Sequence, residues 1–308
     1  MIAAIATALG RVALNGRLVL VAGLAGGVLL PVVAQSMAPH LPWMVAVLLF
    51  LSAFRIGPRE TLGQLRGIGR SLGALFVLQL AMPVLAFGLF YAAGLAGSLP
   101  AVALVLMLAA PPITGAPNFT ILAGENPAPA MRLLILGTAA FPATALVAFA
   151  LLPTVGGGVP AAGWLMLKVM GAVGLGFAAR AVTLPRPTPV QIKALDGLGV
   201  IALAVIVVGL MAGIGPLLQN DLWALAGWLT LAIVANFGLQ AAGFALTRGR
   251  IPPPERAAFG IIAGNRNIAL FLIALPPETI ATLLPFIGSY QVPMYLTPLM
   301  LRALAAQR

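Results

Sequence analysis

The sequence predicts an all-α polytopic membrane protein of ten transmembrane helices, built as two inverted five-helix repeats with discontinuous crossing helices 4 and 9. Three observations predict it. Of 308 residues, 61% are hydrophobic and only 7% are charged, against roughly a quarter charged in an ordinary soluble domain. Mean hydropathy is +1.09, so lipid must be the solvent for most of the chain. The cations sort into alternate loops, and one apolar stretch in each half is interrupted at mid-length.

Residues 1–17 read as an interfacial helix, because Arg11 and Arg17 come late in it rather than ahead of an apolar run as in a cleaved leader. Apolar stretches long enough to cross, at about 20 residues each, follow at 18–36, 41–57, 71–95, 100–124, 130–152, 162–184, 197–216, 222–246, 256–275 and 281–303. Placing the N-terminus in the cytoplasm puts Arg11, Arg17, Arg55, Arg59, Arg66, Arg70, Arg132, Arg180, Arg186, Lys193, Arg248, Arg250, Arg256, Arg302 and Arg308 on the inner side. The outer loops near 37–40, 96–99, 153–161, 217–221 and 276–280 hold no Lys or Arg. Nine or eleven crossings would scramble this segregation, so both termini are expected in the cytoplasm. Fifteen Arg against two Lys, beside abundant Ala, Gly and Leu, suggests a GC-rich bacterial genome, and the expected membrane is the bacterial inner one.

Ten crossings divide into repeats at 18–152 and 159–303, and five crossings per repeat force the two to insert in opposite senses. The fourth crossing is broken at Pro111-Pro112-Ile113-Thr114-Gly115-Ala116-Pro117, followed by Asn118; the ninth is broken at Gly264-Asn265-Arg266-Asn267. Each proline removes an amide donor and clashes with the preceding turn, and non-helical backbone at membrane depth survives only against protein or a hydrated cavity. Arg266 lies some ten residues from either end of its stretch, about 15 Å. That is too deep to snorkel, so it must find carbonyls, a carboxylate, water or an anionic ligand inside the protein. The other polar residues within crossings are Gln79, Thr120, Thr138, Thr144, Asn236 and Gln240. Gln79, Asn118, Asn236, Arg266 and Asn267 are expected to converge on one water-accessible cavity, while Lys168, six residues into its stretch, is expected to snorkel outward.

Net charge is +11 and the pI is near 11.7, but cations spread along an apolar chain make no nucleic-acid groove. With no cysteine, a lone His40 and neither an HExxH nor a GxSxG motif, the sequence offers no nucleophile or metal cluster for a hydrolase. No loop exceeds about fifteen residues, which excludes a nucleotide-binding domain for a pump. These features imply a secondary transporter rather than an enzyme, with no cofactor.

At Gln79-Leu80-Ala81-Met82-Pro83, at the Pro-rich break ending in Asn118 with Gly124-Glu125-Asn126 beyond it, and at Gly264-Asn265-Arg266-Asn267-Ile268-Ala269, the chain resembles bacterial members of the bile acid:sodium symporter superfamily. That fold is related to arsenite effluxers and auxin efflux carriers. The resemblance implies a panel domain of 18–57 plus 162–216 and a core domain of 71–152 plus 222–303, with substrate bound where the broken crossings meet. The resemblance places Gln79, Asn118 and Thr138 in an ion shell and Arg266 and Asn267 at the second break; with Thr114, Thr120, Asn236 and Asn265, polar residues at or near the breaks or at mid-depth, they make up the expected substrate and ion site, with Gln79, Asn118 and Asn267 as sodium ligands. Sodium-coupled relatives carry a glutamate two residues before the equivalent of Gly264. Here that residue is Ile262, and Arg266 replaces a glutamine. A hard cation prefers charged oxygen ligands, so the coupling ion is left open between sodium, protons and Arg266 as a built-in cation. The expected cargo is a small organic anion. The alternatives are sodium-coupled uptake using amides and carbonyls, and a membrane sensor that binds without transporting.

Overall fold

The computed structural model describes residues 2–63, 68–155 and 158–305. Arg66 and Arg308, expected on the inner side, lie outside the described residues. Among the described residues there is no strand, only helices and one isolated antiparallel bridge.

Helix α1 (Ile2–Leu14) is bent by 79° from α2 (Gly16–Leu29) at Asn15, whose side-chain amide donates back to the Arg11 carbonyl at 3.0 Å. The chain reverses at Leu30 into α3 (Pro31–Met37), which passes through a 3-10 turn at Ala38–His40 into α4 (Leu41–Ile56). This corrects the expected loop at 37–40. Pro31 cannot continue α2 but suits the first position of a new helix, whereas Pro39 and Pro42 only tighten the turn. Gly57, with φ 79°, ends α4 ahead of α5 (Pro58–Gly63).

The chain re-enters with α6 (Gly69–Leu75), a π-helical turn at Phe76–Ala81 and α7 (Met82–Ala92). Next come α8 (Leu99–Ala109), α9 (Ala116–Leu122), α10 (Ala128–Leu151) and α11 (Gly158–Thr183). Helix α12 (Pro189–Leu210) starts at a capping box, in which Thr188 Oγ1 accepts from the Gln191 amide at 3.3 Å and Gln191 Oε1 accepts from the Thr188 amide at 2.8 Å. A 3-10 turn leads to α13 (Ile214–Asn220); then follow α14 (Leu222–Thr247), capped by Asp221, α15 (Pro253–Gly264) and α16 (Pro277–Ala305).

Among the described residues, six helical runs are long and apolar enough to cross a membrane: 31–56, 69–92, 128–151, 163–183, 189–220 and 222–247. The bent pair of α1 and α2 makes a seventh if counted as one span. The chain is a multi-pass membrane protein.

Packing links the helices in two sets that also pack on each other, α10 against α11 and the Ile268–Ile273 segment against α4. In one, α12 packs against α1, α2 and α4, and α4 against α11. In the other, α10 packs against α6, α8, α9 and α15, while α14 packs against α15 and α16. Charge ties each group at one end. Arg55 Nε donates to Asp196 at 2.7 Å between α4 and α12, and Arg180 donates to the Phe54 and Arg55 carbonyls at 2.9 and 3.2 Å. In the second group Arg70 pairs with Glu255 at 3.0 Å, between α6 and α15.

Candidate functional site

The two interrupted segments meet. Helix α8 stops at Ala110, which is extended (φ −68°, ψ 150°), and α15 stops at Asn265 (φ −113°, ψ 95°). Pro112 and Arg266 then face each other as an antiparallel bridge. The Asn267 amide donates to the Pro111 carbonyl at 2.8 Å and the Ile113 amide to the Asn265 carbonyl at 3.3 Å. This is the non-hydrogen-bonded pair of an antiparallel ladder, in which the two facing residues exchange no bonds of their own. Pro112, which has no N–H to give, fits there without loss.

The bridge redirects amides that a continuous helix would have used, and so releases carbonyls. Asn267 N would ordinarily bond the Ala263 carbonyl, four residues back. It bonds Pro111 instead, and Ala263 O accepts from Arg266 Nε at 3.4 Å. The π-helical turn does the same to Leu78. The Met82 amide bonds Val77 O, five residues back, and in that register the donor for Leu78 O is Pro83, which has none. Leu78 O accepts from an Arg266 terminal nitrogen at 3.0 Å, and Ala110 O accepts from the other at 3.2 Å. Arg266 is 1% exposed, and its polar partners among the described residues are these carbonyls and, at 3.9 Å, the Met82 sulfur.

Below the second break lies an amide network. Asn236 Nδ2 donates to Gly264 O at 2.5 Å and to Asn265 Oδ1 at 3.2 Å; its own Oδ1 accepts from Gln240 Nε2 at 2.7 Å. Gln240 Nε2 also donates to Thr297 Oγ1 at 3.0 Å, and Asn265 Nδ2 donates to Ile261 O at 2.8 Å. The Tyr290 hydroxyl donates to Gly264 O and accepts from the Arg266 amide at 2.9 Å. Gly264 makes this closeness feasible, since a Cβ there would run into the Asn236 carbonyl and lie 2.7 Å from Gln240 Cγ. Gly264→Ala is therefore expected to cost about 1–3 kcal/mol by overpacking, read as a lower unfolding midpoint in detergent.

Across the crossing, Gln79 repeats part of this pattern. Its Nε2 donates to Gly137 O at 3.2 Å and to Thr144 Oγ1 at 3.3 Å, a Gln–Thr pair matching Gln240 and Thr297 in the second half. Gln79 Oε1 and Gln240 Oε1 are both buried and have no hydrogen-bond partner among the described residues.

Of the expected site residues, Asn236, Asn265 and Arg266 are brought into contact, and Gln79 lies one residue from the Leu78 carbonyl that Arg266 grips. Asn267 is half-buried and contributes its main-chain amide to the bridge. Thr138 is half-buried on α10, beside Gly137. Thr120 is fully buried, but its hydroxyl goes to Ala116 O one turn back, at 3.0 Å. Asn118 and Thr114 are exposed and lie apart from the buried residues around Arg266. Helix α9 buries Ala116, Pro117 and Thr120, and at 3.6 residues per turn Asn118 falls on the opposite face. The expected shared cavity is also corrected: Gln79, Asn236, Asn265 and Arg266 are each at most 1% exposed, so protein surrounds them.

Lys168 does not simply snorkel. Its Nζ donates to Ile273 O at 3.0 Å, the carbonyl that ends the 3-10 segment Ile268–Ile273; such terminal carbonyls lack a helical donor and attract cations. Tyr290 and Thr297 join the network although not expected there; both are polar residues inside the apolar stretch 281–303, as Asn236 is inside its own. The chain matches no protein-family model and no curated protein.

Proposed function

We propose that the chain is a secondary active transporter that moves a small organic anion across a bacterial inner membrane by alternating access. The observation that carries this reading is the hydrogen-bonded meeting of two interrupted segments in a multi-pass membrane protein. Paired breaks facing one another are how secondary transporters build a central site, and neither a channel nor a passive scaffold requires them. The moving parts in this reading are a panel of 18–57 plus 162–216 and a core of 71–152 plus 222–303. Core rocking against panel would expose the crossing to each side in turn. The remaining crossings of a ten-span plan are the two broken segments and α16, and the matched Gln–Thr pairs support the inverted repeat. The resemblance to the bile acid:sodium symporter superfamily points the same way.

Uptake by reconstituted protein across a panel of organic anions, with and without sodium and proton gradients, tests this reading. Accumulation of one anion supports it; binding without accumulation in sealed liposomes favours the sensor. Topology gives a second test. In this cysteine-free chain, Ser98→Cys, Gln219→Cys and Glu278→Cys should label from outside, and Arg186→Cys and Pro252→Cys only from the cytoplasm. Labelling of Arg186→Cys from outside would defeat the ten-span plan.

A further inference from the structure

We propose that Arg266 is the resident cation of the crossing, so that the centre of this protein is charged by its own side chain and takes no alkali ion. Helices α8 and α15 both end there, at Ala109 and Gly264, and each presents the negative end of its dipole. Carbonyls and half-helix C-terminal ends meeting at mid-membrane are the arrangement in which transporters hold a monovalent cation. In this chain that place is filled. Each guanidinium nitrogen has its own carbonyl: Nε on Ala263, one terminal nitrogen on Ala110 and the other on Leu78. Those three acceptors come from three separate segments, and each has lost its helical donor to the bridge, a break or a proline. The cage thus matches the planar, three-sided donor array of a guanidinium rather than a point charge.

Two consequences follow. With each guanidinium nitrogen on a carbonyl and the residue 1% exposed, Arg266 does not clasp a substrate directly in this conformation. The carbonyls and helix ends supply partial charges only, so the crossing keeps net positive charge in a medium of low dielectric, where its field reaches furthest. That field selects an anion. This last step rests on the proposed transport function; the filled cage does not.

The experiment is thermal unfolding of the purified full-length protein in detergent, followed by its four tryptophans, in choline, sodium and potassium chloride at equal ionic strength. The wild-type midpoint is expected to agree across the three salts within about 1 °C, and Arg266→Ala to lose about 5 °C or more. Ethylguanidinium at tens of millimolar should restore at least half of that loss while leaving the wild type unmoved. A wild-type midpoint raised by sodium over choline would overturn the proposal, as would an Arg266→Ala variant that matches wild type or ignores ethylguanidinium. Should Arg266→Ala fail to fold, Arg266→Lys takes its place: a lysine ammonium cannot fill the three-sided cage, so a loss relieved by ethylguanidinium supports the proposal and wild-type stability contradicts it. Uptake is measured separately in sodium and choline media. Sodium-independent uptake supports both readings. An intact cage response with no anion transported leaves the cage standing and removes the transporter.

Discussion

Replacing Arg266 by Met is expected to bring anion uptake to background and to lower the unfolding midpoint more than any other single change at the crossing. Methionine roughly keeps the volume but withdraws the donors from Ala263, Ala110 and Leu78. Each carbonyl left buried without a partner costs about 1–3 kcal/mol, and breaking a buried charged set by removing one member costs about 3–5 kcal/mol. The carbonyls cannot return to helical partners, because proline and the bridge have removed those donors. Lys168→Met is the matched control. Lysine 168 is exposed and gives one hydrogen bond to Ile273 O, a loss of about 0.5–1.5 kcal/mol, and uptake should survive it. Initial uptake per folded protein, at matched expression, compares the two.

Asn236→Leu is the second large effect. Asn236 is wholly buried and is the hub between Gly264, Asn265 and Gln240. Leucine is similar in size and makes none of these bonds. It removes one donor from the Gly264 carbonyl, which keeps Tyr290, and one from the Asn265 side-chain oxygen, which Thr297 also reaches, and it strands one amide proton of Gln240. The expected cost is about 2–4 kcal/mol, seen as a midpoint lower by roughly 5–10 °C, with uptake reduced about tenfold or more. Asn118→Leu makes the contrast: the same chemical change on an exposed face should leave the midpoint within about 1 °C. If the two variants unfold alike, the network does not carry the stability assigned to it.

Much of this architecture is readable from the residues, and what is not has physical causes. Both breaks are announced by residues that cannot stay in a membrane helix quietly: three prolines and a glycine in 111–117, and a mid-depth arginine between asparagines. That the breaks pair with each other is a tertiary fact, although Pro112 is chemically suited to it. The partners of Arg266 are harder to foresee because they are main-chain carbonyls, which every residue has. Only Pro83, five residues after Leu78, marks one of them, and only once the π-helical register is known. The exposure of Asn118 is not legible because a seven-residue helix gives too few turns to define a buried face from sequence. The first turn was misplaced because three prolines, at 31, 39 and 42, compete for it. Tyr290 and Thr297 are legible in the same way as Asn236, as polar residues deep in an apolar stretch.

The most direct test of the account is initial uptake of a panel of organic anions into sealed proteoliposomes by wild type and Arg266→Met, each normalised to folded protein. The account predicts that at least one anion enters with the wild type, and that Arg266→Met falls to the rate of empty liposomes. Equal uptake by the two proteins would contradict the claim that the buried crossing is the transport centre.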